Sequence, residues 1–141
     1  MLTQSKILVI DDEEIVRRSY ARSLAGMNCN VETARNGHEA LEAMEQRSFD
    51  IVLLDLMMPG MSGMAVLKLI KEKWPDSEVI IITGYPAVDT AKQAVTLGAY
   101  EYLAKPADPD LVIHATHGAL LHKQWLLHSD PKPTYAGIES S

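Results

Sequence analysis

The chain alternates short apolar runs with longer segments whose apolar residues recur at helical spacing. Three runs, residues 7–10, 51–54 and 79–82, are continuously apolar, which is typical of strands buried on both faces of a parallel sheet. Weaker strand patterns occur at residues 30–34 and 100–104. The intervening patterns predict helices over residues 14–24, 38–46, 64–73, 88–97 and 109 to about 127.

This alternation of strand and helix, with short loops, predicts an α/β fold. Right-handed crossovers between parallel strands imply a single doubly wound five-stranded parallel sheet with five helices. We expect the flavodoxin-like strand order 2-1-3-4-5. Boundary signals agree with these helices, because Asn36-Gly37 precedes the second, Trp74-Pro75-Asp76 follows the third, and Gly98 follows the fourth.

The composition is that of one globular domain. Of the 141 residues, 47% are hydrophobic and 23% are charged, which excludes disorder of the whole chain. The net charge of -6 gives no broad electrostatic footprint for nucleic acid, so direct nucleic-acid binding is not expected. We predict a domain over residues 1–127 and a linker-like or disordered tail over 128–141, which contains two prolines and small polar residues.

Neither a signal peptide nor a membrane anchor is predicted. Only four apolar residues, 7–10, precede a run of four acids, and no apolar run approaches the roughly 20 residues that span a membrane. The single cysteine, Cys29, permits no intrachain disulfide, which suits a reducing compartment. We therefore expect a cytoplasmic protein without membrane contact.

Polar residues directly follow four of the predicted strands. Asp11 and Asp12 follow the first strand, Asp55 the third, Thr83 the fourth and Lys105 the fifth. Sites in open parallel sheets form in the crevice beyond the carboxyl ends of the strands. We therefore expect these five side chains to share one pocket.

Three carboxylates in one pocket require positive charge nearby. Two unit charges about 4 Å apart repel by roughly 4 kcal/mol at an effective dielectric of 20. Lys105 supplies one positive charge, and a hard cation such as Mg²⁺ suits carboxylates, waters and an incoming phosphate. A carboxylate beside Mg²⁺ and a lysine can attack phosphorus, which makes Asp55 the candidate nucleophile. For Asp11 or Asp12 taken alone, a helix N-cap or a solvated loop remains an alternative.

Four segments together resemble the receiver domain of bacterial response regulators, from about residue 6 to residue 127. They are Asp11-Asp12 after the first strand, residues 52–60 (Val-Leu-Leu-Asp-Leu-Met-Met-Pro-Gly), residues 81–84 (Ile-Ile-Thr-Gly) and residues 98–106 (Gly-Ala-Tyr-Glu-Tyr-Leu-Ala-Lys-Pro). Residues 82–88 and 98–106 are most similar to receivers attached to sigma-54 activator ATPases. The resemblance implies a flavodoxin-like signalling domain that is not an enzyme toward other substrates.

The resemblance implies a role for each pocket residue. Asp55 would accept the phosphoryl group, and Lys105 would contact it. Asp12, Asp55 and the backbone carbonyl of Met57 would bind Mg²⁺, with Asp11 holding a metal-bound water.

Two further residues would act as a switch. Thr83 is similar to the hydroxyl that moves to a phosphoryl oxygen, and Tyr102 to the aromatic residue that swings inward behind it. The Lys105-Pro106 peptide would be cis.

The resemblance also implies partners. A sensor histidine kinase or a phosphotransfer protein would donate the phosphoryl group. The face built from the fourth helix, fifth strand and fifth helix would bind an output domain, an output protein or a second copy of the chain. No effector domain occurs within these residues.

Two other interpretations of the pocket stay open. A haloacid-dehalogenase-like phosphatase also has a nucleophilic aspartate after a parallel strand, but it needs a second acid where this chain has Met57. A phosphorylation-independent scaffold would have a degenerate pocket, whereas all the pocket residues are intact here.

Three further features concern the surroundings of the pocket. Ala107 stands where relatives often carry Phe, which removes an apolar contact near the start of the last helix. Met57 and Tyr85 are poorly suited to orienting water, which predicts slow self-dephosphorylation unless both merely pack over a loop.

Histidines 114, 117, 122 and 128 are predicted to lie on the surface, and methionines 57, 58, 61 and 64 to fill gaps.

Overall fold

A computed structural model of the chain describes residues 4–128. The predicted tail, 128–141, lies outside the described residues apart from the backbone of residue 128. Strands and helices alternate throughout the described part. In chain order they are β1 (Ser5–Ile10), α1 (Glu14–Leu24), β2 (Cys29–Ala34), α2 (Gly37–Gln46), β3 (Ile51–Leu54), α3 (Gly63–Lys73), β4 (Glu78–Thr83), α4 (Val88–Thr96), β5 (Glu101–Ala104) and α5 (Pro109–His128).

The strands form one parallel sheet in the order β2-β1-β3-β4-β5. This confirms the predicted strand order and the doubly wound α/β class. In the register, Ile10 pairs with Leu54, and Leu54 pairs with Ile81. The carboxyl ends of the central strands therefore lie at one edge of the sheet.

Alternate residues of the central strands face two separate apolar layers, because successive strand side chains point to opposite faces. Both layers are buried, which explains why β1, β3 and β4 have continuous apolar runs. One layer joins α2, α3 and α4 to Leu8, Ile10, Val52, Leu54, Val79 and Ile81. The other joins α1 and α5 to Ile7, Val9, Ile51, Leu53, Ile80 and Ile82.

The observed helix starts follow from local capping. The Asn36 side chain accepts a hydrogen bond from the Glu39 N–H, and the Ser62 side chain accepts one from the Ala65 N–H, which satisfies donors at the starts of α2 and α3. Both helices consequently begin one residue before the predicted start. Gly98 has a positive φ of 104°, as expected after the end of α4.

The apolar pattern missed the polar residues at the amino-terminal ends of two strands. β1 begins at Ser5 rather than residue 7, and β4 begins at Glu78 rather than residue 79. Both residues join the sheet pairing, Ser5 opposite Cys29 and Glu78 opposite Ile51. Within residues 4–128, no helix has the length and apolar character needed to cross a membrane.

Candidate functional site

Hydrogen bonds from neighbouring strands fix the backbone of the site at the carboxyl edge of the sheet. The Asp55 N–H donates to the Ile10 carbonyl at 3.0 Å, and the Lys105 N–H donates to the Thr83 carbonyl at 2.7 Å. These bonds extend the sheet pairing one residue beyond β3 and β5. The structure thus holds Asp55 and Lys105 where the strand pattern predicted them.

Three carboxylates meet at this edge. Those of Asp11, Asp12 and Asp55 offer oxygen atoms that all lie within 4.8 Å of one another. Asp11 is 1% exposed and Asp55 is 4% exposed, whereas Asp12 faces solvent. Close carboxylates repel one another strongly away from bulk water, so the cluster needs compensating positive charge.

Lys105 supplies part of that charge from the opposite side of the pocket. Its Nζ lies 2.7 Å from Asp11 Oδ2 and 3.2 Å from Asp55 Oδ2. Burial by itself lowers the pKa of Lys105, but the bonds and charges of Asp11 and Asp55 outweigh it and leave that pKa above its ordinary value. The Lys105-Pro106 peptide is cis, as the resemblance predicted.

Opposing effects also act on the pKa of the Asp55 carboxyl. Burial raises its pKa, and the charge of Asp11 acts in the same direction. The Met57 N–H, which donates to Asp55 Oδ1 at 3.1 Å, and the Lys105 ammonium both act to lower the pKa. The net pKa stays above the ordinary value of 3.8, so the ionised form of Asp55 is disfavoured by its surroundings.

Asp11 is held by its own loop and by α1. Its Oδ1 accepts from the Glu13 N–H at 3.0 Å, and its backbone carbonyl accepts from Arg17 Nη1 at 2.8 Å. Glu13 is the N-cap residue of α1, and its side chain makes no capping bond. The N-cap alternative for Asp11 and Asp12 is therefore wrong, and Arg17 is a supporting residue that no sequence motif indicated.

The hydroxyls of the two predicted switch residues bond to groups outside the carboxylate cluster. Thr83 is fully buried at the end of β4, and its Oγ1 accepts from the Tyr85 N–H at 3.1 Å. Tyr102 lies half-buried on β5, with its hydroxyl 2.7 Å from Thr90 Oγ1 of α4. Tyr102 therefore contacts α4 through Thr90, a residue that no apolar pattern or motif distinguished from its neighbours.

A cavity of about 460 Å³ opens over the cluster. Met57 is 57% exposed and Tyr85 is 74% exposed at its rim. These exposures do not support the alternative in which both side chains merely pack over a loop. The cavity is lined by Asp12, Glu13, Asp55, Met57, Gly84, Tyr85 and Lys105.

A second depression of about 430 Å³ lies beside α1 and the start of the last loop. Its lining includes Val16, Tyr20, Pro106 and Ala107. Ala107 still packs against the apolar layer formed with α1 and α5. The small side chain thus leaves a groove rather than a break in the core.

His114, His117 and His122 are exposed, which confirms the prediction that these histidines lie on the surface. His122 also has a carboxylate partner that the sequence did not indicate. Its Nδ1 lies 2.5 Å from Oε2 of Glu78, the buried first residue of β4. Lys71 Nζ lies 3.9 Å from the other oxygen of Glu78. A buried carboxylate needs such partners. These contacts attach α3 and α5 to the amino-terminal end of β4. The side chain of His128 lies outside the described part.

Comparison with known proteins identifies the family. The family model for the response regulator receiver domain matches residues 7–117. DNA-binding transcriptional regulator NtrC of Escherichia coli (strain K12) is 40% identical over 118 residues, which cover 84% of this chain and 25% of NtrC. Response regulator protein PilR of Pseudomonas aeruginosa is 36% identical over 107 residues, which cover 76% of this chain and 24% of PilR.

Solved structures agree with these matches. NtrX from Brucella abortus in complex with ADP has a TM-score of 0.83 at 31% identity, covering 89% of this chain and 29% of NtrX. A receiver domain protein (CheY-like) from Methanospirillum hungatei JF-1 has a TM-score of 0.83 at 25% identity, covering 86% of this chain and 98% of that one.

The chain belongs to the response regulator receiver domain family, the phosphoacceptor modules of two-component signalling. The predicted likeness to receivers of the sigma-54 activator type is confirmed as well, since the matched relatives are regulators of the NtrC, NtrX and PilR group. The chain spans about a quarter of the length of the curated relatives it matches.

Proposed function

We propose that Asp55 accepts a phosphoryl group, in a Mg²⁺-dependent reaction, from a sensor histidine kinase or a phosphotransfer protein. The observation that carries the proposal is the position of Lys105 Nζ, 2.7 Å from Asp11 and 3.2 Å from Asp55, at one end of the carboxylate cluster. A carboxylate placed beside a fixed cation can attack phosphorus while the cation neutralises the charge that develops on the phosphoryl oxygens.

The donor set of the cluster fits Mg²⁺. All the candidate ligand atoms are oxygens, and the three carboxylates lie close enough to share one hard cation. Asp12, Asp55 and the backbone carbonyl of Met57 would hold the ion, with Asp11 holding it through a water. The bound ion would supply further neutralisation of phosphoryl charge.

The protein's own groups prepare Asp55 for the transfer. The Met57 N–H orients Oδ1, and Lys105 lies against Oδ2. An Asp55 oxygen forms a bond to phosphorus as the bond between phosphorus and the donor's imidazole nitrogen breaks. The imidazole keeps the electron pair of the broken bond, and Lys105 stabilises the negative oxygens of the phosphoryl group.

We assign the switch to Thr83 and Tyr102. The Thr83 hydroxyl, at the end of the neighbouring strand, would donate to a phosphoryl oxygen on Asp55. Tyr102 would then change its position behind Thr83, which carries the signal to the face built from α4, β5 and α5. The exposed apolar side chains Val88 and Val95 of α4 and Leu111 of α5 support this face as the surface for an output partner or a second copy.

The remaining assignments extend the same proposal. The receiver comprises residues 1–127, residues 128–141 serve as a linker-like tail, and the domain works in the cytoplasm as a phosphoacceptor rather than as an enzyme on other substrates. The phosphatase alternative lacks its second acid at Met57, and the scaffold alternative does not explain an intact cluster with its lysine.

Intact-mass spectrometry after incubation with acetyl phosphate tests the proposal. We expect the mass of one phosphoryl group to be added only when Mg²⁺ is present, and to be absent in Asp55→Ala. Asp76→Ala, an exposed aspartate in the loop before β4, is the matched control and should be labelled like the wild type. Undiminished labelling of Asp55→Ala would place the phosphoryl group elsewhere.

A further inference from the structure

A side chain from β5 bonds the residue at the start of α4. The N-cap residue is Ala87, which has no side-chain group to bond the free N–H groups of the first turn. The Ala87 N–H itself donates to the hydroxyl of Tyr102 on β5 at 3.3 Å. The predicted switch tyrosine thus bonds the N-cap residue of α4 rather than a first-turn N–H.

Thr90 completes a closed set of hydrogen bonds around this point. Its Oγ1 donates to the Ala87 carbonyl at 3.1 Å and lies 2.7 Å from the Tyr102 hydroxyl. Because Thr90 has one hydroxyl proton and gives it to Ala87, the Tyr102 hydroxyl must donate to Thr90. Each of the two hydroxyls then donates once and accepts once, so the position of Tyr102 depends on the first turn of α4.

The loop before α4 is held by hydroxyls at two alternate positions. Thr83 Oγ1 accepts from the Tyr85 N–H at 3.1 Å, and the Tyr102 hydroxyl accepts from the Ala87 N–H. Both predicted switch residues therefore hold the same short segment. A change at either hydroxyl alters the support of that segment and of the helix after it.

We infer that Thr90 is a positioning residue that holds Tyr102 against α4 in the unphosphorylated protein and so opposes the switch. The inference rests on the proposed function, in which Tyr102 moves when Asp55 is phosphorylated. If Tyr102 moves, it leaves both Thr90 and the Ala87 N–H. A bond present only in the unphosphorylated state must weaken binding of anything that favours the other state.

Fluoroberyllate, a phosphoryl mimic, measures this effect as its half-saturating concentration at fixed Mg²⁺. Thr90→Val keeps the shape of the side chain but removes the hydroxyl, and we expect it to lower that concentration about fivefold, the factor of a single neutral hydrogen bond. Thr90→Ser restores the hydroxyl and should return the wild-type value. Thr96→Val, the same change at the exposed end of α4, should have no effect.

A double-mutant cycle distinguishes positioning from general destabilisation. Tyr102→Phe removes the other end of the same bond, so Thr90→Val should add little to it. Amide hydrogen exchange at Ala87 should become faster in Thr90→Val before fluoroberyllate is added, while exchange at the end of α4 stays unchanged.

The outcomes separate this inference from the proposal on which it rests. Wild-type protein that shows no Mg²⁺-dependent fluoroberyllate binding would contradict the proposed function itself. Normal wild-type binding with an unchanged or weaker affinity in Thr90→Val would overturn the role of Thr90. Fully additive effects of Thr90→Val and Tyr102→Phe would overturn it as well.

Discussion

The ammonium group of Lys105 lies nearer to Asp11, at 2.7 Å, than to Asp55, at 3.2 Å. Asp11 is also the more deeply buried of the two carboxylates. The shorter bond therefore ties the lysine mainly to Asp11, and in the proposed transfer a phosphoryl group on Asp55 would replace the longer bond. Lys105 thus compensates the acids, and in the proposed transfer it would remain in place to contact the phosphoryl group.

Replacing Lys105 with methionine should change two properties in opposite directions. Phosphorylation by acetyl phosphate should become roughly 100-fold slower, because a fixed donor to the developing charge is lost. Mg²⁺ should bind about tenfold more tightly, because a positive charge next to the carboxylates is removed. Calorimetric Mg²⁺ titration checks the second effect, with Lys92→Met on the surface of α4 as control. Weaker Mg²⁺ binding in Lys105→Met would contradict this electrostatic account.

Asp55→Asn should stabilise the metal-free protein at neutral pH. Burial raises the pKa of Asp55, so its ionised form is less favourable in the folded chain than in the unfolded chain. The resulting loss of stability is fully present above the raised pKa and disappears as the pH falls below the ordinary value of 3.8. Urea unfolding in EDTA should therefore show a stabilised variant at pH 7, with an advantage that shrinks on acidification. If the extra stability of Asp55→Asn instead grew as the pH fell, this prediction would be wrong.

The sequence was sufficient for the sheet and for the acidic cluster. Continuous apolar runs identified β1, β3 and β4, and the parallel order alone brings Asp11, Asp55 and Lys105 to one edge. Residues whose role depends on a distant partner were missed. Glu78 resembles a surface residue until His122, 44 residues away, is placed beside it. Thr90 is an ordinary helix residue until Tyr102 reaches it from β5.

Met57→Asn should shorten the lifetime of the phosphorylated protein. Hydrolysis of an aspartyl phosphate needs a positioned water, and the thioether of Met57 at the rim of the cavity cannot donate a hydrogen bond to one. An asparagine can both donate and accept, so we expect loss of label about tenfold faster than in a slow wild type. Met57→Leu keeps the bulk without new hydrogen bonds and should match the wild type. Rapid wild-type loss that Met57→Asn leaves unchanged would refute the prediction.

Gly63→Ala should disturb both stability and the site, because α3 begins directly against the backbone of Asp55 and Leu56, which follow β3. A Cβ at position 63 would lie within 2.5 Å of both the Asp55 carbonyl oxygen and Leu56 Cα. Neither backbone atom can move without shifting Asp55 and the segment that carries Met57. We expect a loss of about 3 kcal/mol in the free energy of unfolding, together with weaker Mg²⁺ binding.

Gly26→Ala is the matched control for this change, because a Cβ at position 26 meets no atom within 4 Å. It should leave both the unfolding free energy and Mg²⁺ binding close to those of the wild type. Since both variants add one methyl group, the difference between them isolates the contact with the Asp55 backbone. If Gly63→Ala unfolds like Gly26→Ala and binds Mg²⁺ normally, the start of α3 does not position Asp55, and the rigidity of the site must come from the sheet alone.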